Sequence, residues 1–176
     1  FVPLLARDMF ESKGGWALFV DCDVFARRDI DELFWEVEKN PNKALMCVPH
    51  QHDPVEDTKK DDQPQARVND PRYPGIYTRK NWSSVMLFNL AHPANDKLTI
   101  QLLNKVPGRD LHRFCWLDDS EIGYLDVKWN HLVGVPSSQS GDPAIVHFTN
   151  GGPWLPQYAL VEYANEWRAA RDAWVR

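Results

Sequence analysis

The chain has 176 residues, a formal net charge of −5, and a composition that is 43% hydrophobic and 12% aromatic. That is enough for one domain with a real core, and too apolar for a largely disordered polymer. The acidic balance argues against nucleic acid or an anionic membrane surface as the main partner, and no apolar run approaches the roughly 20 residues that span a bilayer.

Residues 3–13 are compatible with a helix that Lys13-Gly14-Gly15 would stop. Trp16-Ala17-Leu18-Phe19-Val20 then reads as a buried strand, apolar at every position and rich in aromatic and β-branched members. Asp29 stands where an N-cap would open a helix over 30–39, with Leu33, Phe34 and Val37 on one face and Asn40-Pro41 ending it. Ala44–Val48 is a second short strand. Residues 49–80 carry five prolines, many charges and few aliphatic residues, the composition of a long functional loop. Val85–Leu90 is a third strand, and 96–106 a helix with Leu98, Leu102 and Leu103 inward, broken at Pro107-Gly108. A short helix is expected at 110–116, mixed structure over 118–133, a fourth strand at Ala144–Phe148, a turn at Thr149–Pro153, and a closing helix over 157–174. Strands alternating with helices predict an α/β domain with a mostly parallel central sheet, a single unit over 1–176 without repeats or linkers.

The three cysteines, Cys22, Cys47 and Cys115, sit in or beside apolar stretches and lack zinc-site spacing. They predict a buried, reduced set and a cytoplasmic location. The start shows no signal-peptide pattern, and the absence of an initiator Met before Phe1-Val2-Pro3 is read as a fragment missing an upstream part.

Four stretches carry candidate chemistry. Asp21 and Asp23 close the first strand one residue apart, so in an extended segment both carboxylates face one side and repel unless a positive charge lies between them. A divalent cation is the natural candidate, or Arg27 and Arg28 pair with them instead. "AIVHFTNGGPW" delivers His147 to a strand end in the same way, as a third ligand or a structural histidine, and Gly151-Gly152 lets backbone approach an anion. In "WLDDSEIG", Asp118 and Asp119 are candidate catalytic acids beside Glu121, or members of a solvated acidic turn. In "NWSSVMLFN", Ser83 and Ser84 are small enough for close approach of a sugar and can hydrogen-bond it. His50 and His52 form a possible metal pair in a loop that favours solvent exposure, and His92, His112 and His131 have no evident partners. Trp82, Trp116, Trp129 and Trp154 lie near these motifs, as core residues or as faces for a sugar.

Taken in order, "LFVDCDVFARRDIDELF", "SSVMLFNLAHP", "LDDSEIGYLDVKWN" and "IVHFTNGGPW" resemble the motifs of GT-A glycosyltransferases. The similarity is greatest to the family 8-like group that includes glycogenin and bacterial galactosyl- and glucosyltransferases. It covers roughly residues 16 to 154 and implies a GT-A fold lacking its N-terminal part. It further implies metal-dependent transfer of a sugar from a nucleotide-diphosphate donor, UDP by analogy, to an unidentified acceptor, with retention. Asp21, Asp23 and His147 would hold Mn²⁺ or Mg²⁺. Ser83, Ser84, Gly151 and Gly152 would line the donor, and Asp118 or Asp119 would contact the sugar or acceptor.

The chain departs from that pattern at Ser84, where the family has glycine, and at Gly152, where it has a lysine that grips the diphosphate; Arg72, Arg79 or Lys80 could replace that lysine. Two other readings stay open. Haloacid-dehalogenase-type phosphatases also begin with a strand and DxD, but Val24-Phe25 replaces their usual Thr or Gly, and "HFTNGGPW" has no role there. A non-catalytic binding domain of the same fold is the other. Oligomeric state is open.

Overall fold

The computed structural model describes residues 14–51, 79 and 81–175. The helix expected over 3–13 and most of the loop expected over 49–80, with His52, Arg72 and Lys80, lie outside the described residues.

The opening apolar run becomes β1 (Trp16–Val20), followed by β2 (Val24–Ala26), α1 (Asp31–Glu38), β3 (Leu45–Cys47) and β4 (Val85–Asn89). After a 3-10 turn at Pro93–Lys97 come α2 (Ile100–Lys105) and α3 (Gly108–His112). The chain then forms β5 (Ile122–Tyr124), β6 (His131–Leu132), β7 (Ile145–His147) and α4 (Ala164–Trp174). Two sheets result, one of order β1-β4-β3-β5 and one of order β2-β7-β6. The α/β class stands, but the emphasis on parallel strands is corrected. β4 runs antiparallel to both β1 and β3, and β2 antiparallel to β7, while β3–β5 and β6–β7 are parallel. A β4 inserted against the direction of its neighbours is invisible to hydrophobic periodicity, which reports burial and not strand polarity.

Why β1 is apolar at every position follows from its neighbours. Ala17 and Phe19 join a cluster with Leu45, Met86, Phe88 and Phe114, while Trp16 and Leu18 join another with Leu33, Met46, Leu87 and Ile145. Both faces of the four-stranded sheet are covered, so alternation disappears. α1 supplies Leu33 and Val37 to the second cluster, with the Asp29 carboxylate accepting from the backbone N–H of Asp31 at 3.0 Å. The smaller sheet places Ile145 in that same cluster and turns Val146 to a third, where Phe25, Val133, Phe148, Tyr163 and Trp167 pack.

The expected closing helix over 157–174 is shorter. A 3-10 turn occupies Pro156–Tyr158, and Tyr163 takes a left-handed conformation (φ 63°) immediately before α4. That conformation ends any continuous helix and sets the Tyr163 ring edge-on to His131 at 5.4 Å and under the Arg27 guanidinium at 5.0 Å. The cysteine expectation is also corrected, since Cys47 is buried while Cys22 and Cys115 are exposed. Among the described residues no helix is long and apolar enough to cross a membrane.

Candidate metal centre

Strand register decides which candidates meet. Val20 at the end of β1 stands opposite Val85 at the start of β4, so Asp21 and Ser84 lie at one edge, where the Asp21 N–H donates to the Ser84 carbonyl at 2.8 Å. Val24 of β2 stands opposite His147 of β7, and the Phe148 N–H donates to the Asp23 carbonyl at 2.9 Å. The short link between β1 and β2 therefore brings two carboxylates to one imidazole. Asp21, Asp23 and His147 each offer one donor atom, and those atoms all lie within 4.8 Å of one another. The carboxylate residues are half-buried and His147 is buried. His147 Nε2 lies 3.2 Å from an Asp23 carboxylate oxygen. Burial pushes the His147 pKa down, and Asp23 partly opposes it.

The alternative partners for the acids are engaged elsewhere. Arg27 bonds Glu166 (2.8 Å) and the Pro143 carbonyl (2.6 Å), and both Arg27 and Arg28 pair with Asp142.

Behind His147 lies a residue to which the sequence reading gave no role. Asn130 is fully buried, its Oδ1 is 3.2 Å from His147 Nδ1, and its Nδ2 donates to Ser84 Oγ at 2.8 Å and to the Asn81 carbonyl at 3.3 Å. The Ser84 hydroxyl donates to that same carbonyl at 2.8 Å. Only the "WN" of the quoted "LDDSEIGYLDVKWN" motif hinted at this position.

The remaining candidates have their own surroundings. Ser83 Oγ is 2.6 Å from His112 Nδ1. Gly151 has φ +127°, and a Cβ there would stand 2.4 Å from the Tyr158 ring; a Cβ on Gly152 would stand 2.1 Å from the Trp154 ring. Asp118 and Asp119 precede Ile122, which stands opposite Leu45 and so at the sheet edge remote from Asp21. Asp118 forms a capping box with Glu121, and Asp119 pairs with Arg79. Arg79, Arg113, Phe114, Cys115, Leu117 and Asp119 line an open pocket of ≈ 250 Å³. His50, read from the sequence either as one of a metal pair or as solvent-exposed, is buried, with Nδ1 against Ser138 Oγ. Trp116 and Trp129 are core residues, and Trp154 is 45% exposed beside Phe148 and Trp167.

No protein-family model matches the chain. Protein CDI of Arabidopsis thaliana is 41% identical over 157 residues, which is 87% of this chain and 56% of that protein. The chain thus spans little more than half the length of the curated relative it matches. Among solved structures, mouse xyloside xylosyltransferase 1 in its apo form superposes with a TM-score of 0.55 at 18% identity, over 85% of this chain and 63% of that one. The galactosyltransferase LgtC bound to donor and acceptor sugar analogues gives 0.52 at 14% identity, over 88% and 60% of the two chains. An active-site mutant of LgtC gives 0.58 at 15% identity, over 96% and 64%. At these identities the likeness concerns architecture, and the chain has the GT-A glycosyltransferase fold.

Proposed function

We propose that this chain is a glycosyltransferase domain of the family 8-like group. It moves a sugar from a nucleotide-diphosphate donor, with UDP as the first nucleotide to test, to a glycan or another acceptor, with retention. The carrying observation is the convergence of Asp21, Asp23 and His147 donor atoms within 4.8 Å at strand ends of a GT-A fold.

The donor set fits a hard divalent cation. Two carboxylates and an imidazole are acceptable to Mn²⁺ or Mg²⁺, and without a positive charge the two carboxylates oppose one another. Bound there, the cation supplies neutralisation of the charge that builds on the diphosphate as the sugar departs. The chain's own residues hold and orient. Asp21 and Asp23 are fixed through their backbones to opposite sheets, and His147 is fixed by β7. Ser83 and Ser84 are buried at the start of β4 with their hydroxyls engaged by His112 and by Asn81 and Asn130, so they would bound the donor side by their small size and not by hydrogen bonds to it. Gly151-Gly152 follows β7 and brings backbone to the donor side. Asp118 and Asp119 stand at the sheet edge remote from Asp21, which leaves them a role toward the acceptor and not toward the diphosphate, and Asp119 has to leave Arg79 to take it. Arg79 is in the same ion pair, so a phosphate-gripping role for it demands the same release.

Calorimetric titration of UDP with and without Mn²⁺ on the wild type, Asp21→Asn and Asp23→Asn is the direct test. The expected result is Mn²⁺-dependent binding lost in both variants, followed by consumption of one UDP-sugar from a panel. UDP affinity indifferent to Mn²⁺ and to both substitutions would overturn the proposal.

A further inference from the structure

We infer that Asn130 is a positioning residue. It fixes the imidazole of His147 as the Nδ1–H form and so turns the Nε2 lone pair toward Asp21 and Asp23. The inference rests on the proposed cation site and deepens it.

The argument is one of donor and acceptor counting. The Asn81 carbonyl can only accept. It takes the Ser84 hydroxyl proton at 2.8 Å and one N–H of Asn130 at 3.3 Å. With its own proton committed to that carbonyl, Ser84 Oγ accepts from Asn130 Nδ2 at 2.8 Å. Both oxygens thus demand the NH₂ end of the Asn130 amide, and a flipped amide would set its oxygen against a carbonyl in a fully buried place. Oδ1 is therefore the atom 3.2 Å from His147 Nδ1, and it cannot donate. The proton of that contact belongs to Nδ1.

The neutral ring then has its lone pair on Nε2, 3.2 Å from an Asp23 carboxylate oxygen. Two lone pairs at that distance repel, and a cation between them turns the repulsion into two ligand bonds. A histidine ligand usually donates its other N–H to a fixed acceptor, which sets the tautomer and ring orientation. Here the acceptor is Asn130, and its own orientation originates in Asn81, held at φ 62° before the 3-10 turn Trp82–Ser84. The relay also gives Ser84 a task that a glycine could not perform, because it needs a hydroxyl.

The test uses Asn130→Leu, which removes the acceptor at similar size, and Asn130→Asp, which restores one and, held protonated by the burial of the position, still donates toward the Asn81 carbonyl. Mn²⁺ affinity is read by electron paramagnetic resonance, ring tautomer by ¹⁵N-detected imidazole NMR without cation, and folding by thermal melts. The expected results are an Nδ1–H tautomer in the wild type and a loss of Mn²⁺ affinity of about 10- to 100-fold in Asn130→Leu. Asn130→Asp is expected to recover most of that loss, and Ser84→Ala to fall between. An Nε2–H tautomer in the wild type, or equal losses in the Leu and Asp variants, would overturn the inference. If the folded wild type binds no Mn²⁺, the cation site itself fails, while the NMR tautomer still decides whether Asn130 sets the ring.

Discussion

Acidification offers a quantitative test of the packing around His50. Its ring is 5% exposed, Nδ1 meets Ser138 Oγ, and Nε2 is buried without a hydrogen-bond partner among the described residues. Burial first, then the nearby His147 and His131, push its pKa from an ordinary 6.5 down to about 4. In the unfolded chain the same ring takes up a proton near 6.5, so between these values unfolding binds one more proton than folding retains. Stability therefore falls as pH falls through 6.5, continues to fall to about 4, and levels off below. That interval, at about 1.4 kcal/mol per pH unit, amounts to about 3 kcal/mol. His131 and His147 are also held low by burial and steepen the same slope. Urea unfolding followed by tryptophan fluorescence from pH 7.5 to 4 (assay settings of roughly the window in which histidines titrate) gives the curve for the wild type and for His50→Gln. The variant is expected to be less stable at neutral pH, with the gap closing by about 3 kcal/mol at the acid end. Parallel curves would refute the reasoning, because they would mean that His50 titrates alike in the folded and unfolded chains.

Three further substitutions probe the frame. Gly151→Ala places a Cβ 2.4 Å from the Tyr158 ring at φ +127° and is expected to cost about 2–4 kcal/mol, read as a lowered melting temperature. Arg27→Met removes the bonds to the Pro143 carbonyl, Glu166 and Asp142 and is expected to cost about 1–2 kcal/mol, with part of the loss disappearing in high salt when urea unfolding is repeated. Leu33→Ala empties a fully buried position under the four-stranded sheet and is expected to cost about 2–5 kcal/mol in the same assay.

Length and side-chain chemistry explain what was legible in the sequence. β1, α1 and β4 are long enough to display a pattern, and Asp21, Asp23 and His147 announce themselves because each terminates or follows an apolar run. β2, β5 and β6 have two or three residues and, unlike the equally short β3 and β7, are not embedded in a longer apolar run. Asn130 went unrecognised for a related reason. Its partners Ser84 and His147 are 46 and 17 residues away, and a buried amide serving them looks in sequence like any polar residue after a tryptophan. Gly151 and Gly152 suggested backbone approach to an anion, and the structure adds a second demand for glycine there, because the Tyr158 and Trp154 rings stand where their Cβ atoms would be. The parallel character of the sheet was inferred from alternation of helices and strands, and the antiparallel β4 defeats that inference because alternation of elements does not report strand direction.

The two-residue spacing of Asp21 and Asp23 has a consequence for how the molecule assembles. Asp21 is tied to the end of the larger sheet by Ser84, and Asp23 to the smaller one by Phe148. Neither sheet formed alone would hold all three donor groups. The larger would place one carboxylate at an empty edge, and the smaller would hold an acid beside a histidine with no second acid. The triad exists only once the two sheets have docked, so the segment 21–23 works as a latch, and opening the seam between the sheets separates the donor groups even where each sheet stays intact.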